Sequence, residues 1–373
     1  MIGKTGVMAA IAAAVLLIQT SATPAIAGPA ILFDAANGQV IYAEEADQPW
    51  YPASLTKLMT AYLTFEALKE DKLNWDMKLV TTEKANAQPP SKVGLPVGGA
   101  IALDVAVRAL IIKSANDIAM VLAETIGGSE EAFVLKMNAT ARRLGMSRTN
   151  FMNPNGLPDP QQVTTARDMG LLARALLRDF PEYAPVFAEH QMYVGRIRLG
   201  THNSLLKTVA GADGMKTGFI CSGGYNIVAS ATRDGRKLIA VVLGETSGGG
   251  RAVRASALLE YGYEHYEWKL ALAPQTIDNL AFDPAEILPA QDVRKVVRSF
   301  DCGYRGAAKP RVAKLAKKSP AKKPAGTAQA AAGQPAEPAP QNTGSIAPAT
   351  QKTVSKAPTL PADGAAQQPV ARP

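Results

Sequence analysis

The 373-residue chain is short of the side chains that build metal and redox centres: it holds three histidines and two cysteines. His190, His202 and His265 stand at no metal-ligand spacing and have no partner cysteines, so no metal is expected. His202 by itself leaves a Ser-His-Asp arrangement open, but no G-x-S-x-G elbow accompanies it. A phosphate-binding glycine loop in the required strand–loop–helix context is also missing, which argues against a nucleotide enzyme, and no cofactor is expected. Beyond the N-terminal segment, no apolar run is long enough to span a bilayer. Cys221 has no histidine or other base beside it in a recognisable thiol motif.

The chain begins with Lys4, a largely apolar run from Val7 to Ile18, and Pro24-Ala25-Ile26-Ala27. A basic start, a short apolar core and an A-x-A site read as a secretory signal over residues 1–27, with Gly28 as the mature N-terminus. The expected location is therefore the periplasm, with the option of peripheral attachment to membrane or wall. That compartment permits a bridge between Cys221 and Cys302, whose separation in space the sequence does not set.

The net charge of +8 is concentrated at the C-terminus. Residues 303–373 contain eleven of the forty Lys and Arg but only Glu337 and Asp363 among the 32 acidic residues, which leaves 29 basic against 30 acidic elsewhere. That stretch has eleven prolines and a single aromatic residue, Tyr304. Such a composition cannot bury enough apolar surface to fold, so a disordered cationic tail is expected. It reads equally as a spacer or as a segment attracted to anionic envelope polymers. Without interleaved aromatic residues, and in an exported protein, it does not read as a nucleic-acid binder.

Residues 28–272 alternate periodic segments with turn signals, enough for one domain, and residues 273–302 are too few for another. Ala30–Phe33 and Val40–Tyr42 flank Asn37-Gly38, a hairpin signal. Leu55, Leu58, Met59, Tyr62, Leu63 and Leu68 recur at helical spacing on one face. Helices are also expected over 104–112, 117–126, 129–144, 165–177 and 251–264. Strands are expected over 192–197, 214–220, 225–232 and 237–243. Strands at both ends of a central helical block predict an α+β layout, an antiparallel sheet packed with helices.

Three motifs carry the chemistry: Ser54-Leu55-Thr56-Lys57, Ser114-Ala115-Asn116 and Lys216-Thr217-Gly218. None is decisive alone, since a chain of this length should hold on the order of one S-x-x-K by chance. Ser319-Pro320-Ala321-Lys322 and Lys4-Thr5-Gly6 are such decoys, the first in the tail and the second in the signal segment. Order and context separate the real set. Three residues apart on a helix, Ser54 and Lys57 share a face, and a lysine made neutral by burial and by a second cation, Lys216, can take the serine proton. Ser114 and Asn116 occupy a loop between helices, where a hydroxyl can relay a proton and an amide can meet a peptide-like substrate. Gly218 removes a side chain where a substrate backbone must approach, and Lys216 with Thr217 can hold a carboxylate. The backbone N–H groups of Ser54 and Phe219 are candidates for an oxyanion hole.

These motifs, with Pro52-Ala53 ahead of Ser54, Asn153-Pro154-Asn155-Gly156-Leu157 and Asp213-Gly214-Met215, resemble the serine-type D-alanyl-D-alanine carboxypeptidases, the low-molecular-mass penicillin-binding proteins. The resemblance spans about residues 28–264. It implies the penicillin-recognising serine transpeptidase fold, which is β-lactamase-like, and an acyl-enzyme on Ser54 that removes the terminal D-Ala from peptidoglycan stem pentapeptides. It implies Lys57 as general base, Ser114 as proton relay, Asn116 as a substrate ligand and Lys216 with Thr217 as carboxylate clamp, with Arg251 or Arg254 as a possible helper. β-Lactams would be covalent inhibitors. Rival readings are a D,D-endopeptidase with the same site, a β-lactamase, for which the 151–160 loop offers Asp159 and no glutamate, and a catalytically silent wall-binding protein. Many members carry a second, β-rich domain and a terminal amphipathic helix; here a short extension and the cationic tail take their place.

Overall fold

The computed structural model describes residues 28–272, 275–281 and 288–303; the signal segment and all but the first residue of the basic tail lie outside them. A five-stranded antiparallel sheet in the order β2-β1-β9-β8-β7 organises the chain, built from β1 (Ala30–Asp34), β2 (Val40–Glu44), β7 (Ala212–Ile220), β8 (Gly224–Arg233) and β9 (Arg236–Glu245). Two small hairpins, β3 (Lys78–Val80) with β4 (Ala100–Ala102) and β5 (Gln191–Val194) with β6 (Ile197–Gly200), stand apart from it.

Alternation along the strands divides the core. In β9, Leu238, Ala240 and Val242 belong to one apolar cluster, and Ile239, Val241 and Leu243 to another. Side chains in a strand point to opposite faces in turn, so the sheet is covered on both sides. The first cluster packs under the C-terminal helix Gly248–Glu264 through Ala255, Leu258 and Leu259. The second packs under the helical block: α1 (Lys57–Lys69), α2 (Leu103–Arg108), α3 (Asn116–Gly127), α4 (Glu130–Arg143) and α5 (Ala166–Asp179). The C-terminal helix is α6. Ser129, Thr165 and Ser247 cap α4, α5 and α6 by accepting a backbone N–H three residues on, the expected use of such side chains.

The layout is the α+β arrangement expected from the sequence, with three local differences. Helix α1 buries nearly its whole circumference rather than one face, with Thr60 and Thr64 inside it. Their hydroxyls donate to the carbonyls of Pro154 and Thr60, which removes the cost of burying them. The 192–197 strand is a hairpin, turning at Gly195 with φ +58°. Helix α2 runs on as a π-turn, Ala109–Lys113, ending at Ser114 in the left-handed conformation, φ 60°.

The C-terminal extension lies along the same body. Ile277 is buried, and its N–H donates to the Gly38 carbonyl. Further on, the Val293 N–H donates to the Ser222 carbonyl and that of Arg298 to Thr246, while Val293 and Val297 are buried. A disulfide joins Cys221, just past β7, to Cys302 across 81 residues of sequence.

Gly156 has φ +83°, and a Cβ there would stand 1.9 Å from the Ala53 carbonyl oxygen, on the segment that leads into Ser54. Any side chain must push that segment away. Gly156→Ala is expected to cost roughly 2–4 kcal/mol in urea unfolding; a loss under about 0.5 kcal/mol would show that the two segments are not held together.

Candidate active site

Ser54 sits in a 3-10 turn, Ala53–Thr56, that precedes α1, so it stands before the helix rather than opening it. Its lead-in is fastened from the sheet: the Asn226 amide on β8 donates to the carbonyls of Tyr51 and Pro52, and the Trp50 indole donates to Gly223. Ala53 takes φ 50°, a left-handed conformation costly for a residue with a Cβ. At Gly218 on β7 a Cβ would stand 2.9 Å from the Pro52 carbonyl oxygen and 3.1 Å from the Ser54 nitrogen. That glycine therefore admits the loop that carries Ser54, a tighter requirement than the substrate approach expected from the sequence.

Lys57, the first residue of α1, is fully buried, with Nζ 3.0 Å from Ser54 Oγ. The same Nζ lies 2.7 Å from Asn116 Oδ1 and within hydrogen-bonding distance of the Asn155 carbonyl. All three partners are neutral. Burial first, and the Lys216 cation second, hold its pKa well below the ordinary lysine value, with Asp117 opposing. A neutral amine has two N–H groups and one lone pair. With Asn116 Oδ1 and the Asn155 carbonyl taking the two N–H groups, the lone pair is left to accept the Ser54 hydroxyl proton.

Lys216, on β7, is 2% exposed, and its Nζ donates to Ser114 Oγ at 2.9 Å and to the Thr217 carbonyl at 2.9 Å. Burial, then repulsion from Arg251, brings its pKa down to about 7. The Asn116 Nδ2 donates to the Pro89 carbonyl, which leaves one amide N–H for another partner. The 89–94 loop is stitched to this region: Asp117 accepts the N–H groups of Val93 and Gly94, and Ser91 accepts that of Asn116 at its carbonyl.

These groups surround a cleft of about 650 Å³ whose wall includes Ser54, Ser114, Asn116, Thr217, Gly218 and Phe219. Both buried lysines lie behind the wall rather than on it. Arg251 from α6 lines the same cleft as Thr217. Its guanidinium donates to the His202 and Asn226 carbonyls, 3.2 and 3.5 Å away, and stands over the Tyr225 ring. No carboxylate among the described residues touches it, its Nε is buried without a partner, and burial lowers its pKa to about 10. A buried cation with open hydrogen-bonding capacity is a receptor for an anion. Of the two arginines left open by the sequence, Arg254 is instead occupied by Glu44 and Glu245. His202 also lines the cleft, its pKa lowered by burial and by the Lys216, Lys113 and Arg251 cations. Asp159 is not on the wall; it accepts the Gln161 N–H in its own loop.

Reasoning from sequence missed Asn155, Asn226, Gly156 and the 89–94 loop as parts of the site. Asn155-Gly156 lay within a quoted motif, but its use is a backbone carbonyl, which carries no side-chain signature.

The sequence profile of the family described as D-alanyl-D-alanine carboxypeptidase, peptidase S11, matches residues 18–247. The chain is 38% identical over 264 residues to D-alanyl-D-alanine carboxypeptidase DacC of Escherichia coli, covering 69% of this chain and 66% of that protein. It is 37% identical over 243 residues to DacA of Haemophilus influenzae, covering 64% and 62%. The match thus spans slightly less than two thirds of the length of these curated relatives. Among solved structures, penicillin binding protein 5 from Haemophilus influenzae superimposes with a TM-score of 0.62 at 37% identity, over 64% of this chain and 71% of the other. The cefotaxime-bound penicillin-binding protein D2 of Listeria monocytogenes gives 0.59 at 32% identity, over 64% and 97%. The fold is accordingly that of the penicillin-binding serine D,D-peptidases, the β-lactamase-like fold. With its three motifs converging on one cleft and the profile covering most of its folded length, the chain belongs to the D-alanyl-D-alanine carboxypeptidase family.

Proposed function

We propose that this chain is an exported D,D-carboxypeptidase that removes the terminal D-Ala from peptidoglycan stem pentapeptides through an acyl-enzyme on Ser54. The observation that carries the reading is the buried Lys57 amine 3.0 Å from Ser54 Oγ with only neutral partners. In the first step Ser54 Oγ bonds to the carbonyl carbon of the penultimate residue while its proton passes to Lys57. The developing oxyanion meets the backbone N–H groups of Ser54 and Phe219, the latter on the outermost strand of the sheet, each donor worth a few kcal/mol of barrier. The C–N bond then breaks, and the leaving amine takes a proton through Ser114, which Lys216 backs at 2.9 Å. Water next attacks the ester, Lys57 again takes a proton, and Ser54 is restored.

Arg251 with Thr217 receives the substrate's terminal carboxylate, and Lys216 adds positive potential from behind the wall. This assignment moves the clamp outward from Lys216 to Arg251. Penicillins enter the same reaction because their carbonyl acylates the serine and their carboxylate fits the same cation; the cefotaxime- and ampicillin-bound Listeria relatives support that reading. A β-lactamase reading lacks support, since no glutamate among the described residues lines the cleft and Asp159 stands away from it. On composition alone, we place the signal segment at 1–27, the catalytic domain at 28–272, the extension at 273–302 and a cationic tail over 303–373 that meets anionic envelope polymers. Among the described residues no helix is long and apolar enough to cross a membrane.

Intact mass spectrometry after penicillin treatment should show one covalent adduct, mapped to Ser54 and absent from Ser54→Ala; well-folded wild-type protein without an adduct would count against the whole scheme. Lys57→Met should keep the fold and slow acylation by roughly 10²–10⁴-fold. Because Lys57 acts only when neutral and its pKa is lowered, acylation should rise with pH and reach half its maximum well below 10.5. A half-maximum near 10.5 would mean an ordinary lysine. Arg251→Ala should reduce kcat/KM for a peptide ending in a free carboxylate by roughly 10–100-fold and barely affect the C-terminal amide, an equal loss on both arguing for a purely structural arginine.

A further inference from the structure

The wall of the cleft is electrostatically one-sided, with one exception. Lys113 and Arg251 face it, Lys57 and Lys216 lie just behind it, and, among the described residues, a single carboxylate, Asp301, completes the lining. Asp301 is exposed and makes no ion pair among the described residues. It does not come from the catalytic domain as read from the sequence but from the C-terminal extension. Three independent restraints hold that extension in place: the Cys221–Cys302 bridge next to it, the Arg298 N–H on the Thr246 carbonyl, and the burial of Val297. Past Phe219, Ile220 and Asp301 the cleft adjoins a second hollow of about 470 Å³, whose wall includes Pro158, Ser222 and Arg294 together with the bridge itself.

The strand direction gives Asp301 a position relative to substrate. β7 runs from Lys216 and Thr217 through Phe219 to Ile220. On the carboxypeptidase reading, on which this inference rests, the substrate's terminal carboxylate lies at Thr217 and Arg251, and its scissile carbonyl at the Phe219 N–H. A peptide added along an edge strand advances about 3.3 Å per residue. The residue before the acylating one therefore arrives beside Ile220 and Asp301, with the second hollow ahead of it.

We propose that Asp301 is a specificity-determining residue that binds a cationic side chain, the ammonium of a diamino acid, at the substrate position immediately before the acylating residue. The cleft then matches a substrate with an anion at one end and a cation farther along. The extension acts as the wall of a subsite, and the disulfide fixes that wall to the end of the strand carrying Lys216 and Thr217.

The test compares two peptides on the mature protein: Nα-acetyl-Lys-D-Ala-D-Ala, with a free side-chain ammonium, and its Nα,Nε-diacetyl counterpart. Release of D-Ala gives kcat/KM for each, and their ratio within one preparation is independent of the folded fraction. Wild-type protein should favour the free amine by about 5-fold, the scale of one partly exposed charge pair. Asp301→Asn should bring the ratio to about one, and Asp301→Lys should take it below one. A wild-type ratio near one, or a preference that persists in Asp301→Asn, would overturn the assignment and leave the carboxypeptidase reading standing. Release of D-Ala from neither peptide by wild-type protein would overturn both.

Discussion

Two lysines buried without a counter-ion are the constraint around which this site is arranged. Lys57 and Lys216 are 0% and 2% exposed, and neither touches a carboxylate among the described residues. Removing a lone ammonium from water costs far more than neutral acceptors return, so burial drives the amine toward its neutral form. Each lysine also makes the other harder to charge if both are protonated. The surrounding structure gives Lys57 two carbonyl-type acceptors and a hydroxyl, a set that suits an amine with one lone pair. The fold carries this as lost stability, and the result is an amine drawn toward its neutral form next to a serine.

That placement demands close approach from three directions. The 3-10 turn and the helix α1 that follows it supply Ser54 and Lys57, the Asn155-Gly156 segment supplies a carbonyl, and β7 slides past the lead-in to Ser54 at Gly218. Glycines stand where backbones nearly touch, and Ala53 and Ser114 accept left-handed dihedrals on either side of the cleft. Strain of this kind persists only where neighbours over-determine it. Here the neighbours are Asn226, which ties β8 to Tyr51 and Pro52, and Asp117, which ties the 89–94 loop to α3.

Charge at the front of the cleft follows a different logic from charge behind it. Arg251 cannot lose its proton at any ordinary pH, so burial leaves it a cation in want of an anion. Lys216, with its pKa near 7, is suited to proton traffic with Ser114 more than to permanent clamping. The motif Lys216-Thr217-Gly218 therefore divides its labour: Lys216 holds Ser114, Thr217 lines the cleft, and Gly218 makes room for Ser54.

Local order was legible in the residues. The β1–β2 hairpin, helices α3 to α6, β8 and β9 follow from periodicity and turn chemistry acting over a few residues, and the α+β layout follows from their sequence order. The three motifs named side chains that come together around the cleft because their spacing is itself local. What periodicity could not supply is anything that depends on which distant segments meet. The all-round burial of α1, the choice of Arg251 over Arg254, the carbonyl of Asn155 on Lys57, and Asp301 on the cleft wall are decided by contacts between residues tens to hundreds of positions apart. A backbone carbonyl leaves no mark in a sequence, and an arginine reads the same whether a glutamate or an empty pocket awaits it. Side-chain identity thus determined which chemistry was available to the chain, whereas the packing of the sheet against its helices decided which copies of each side chain lose their water, and with it their ordinary charge.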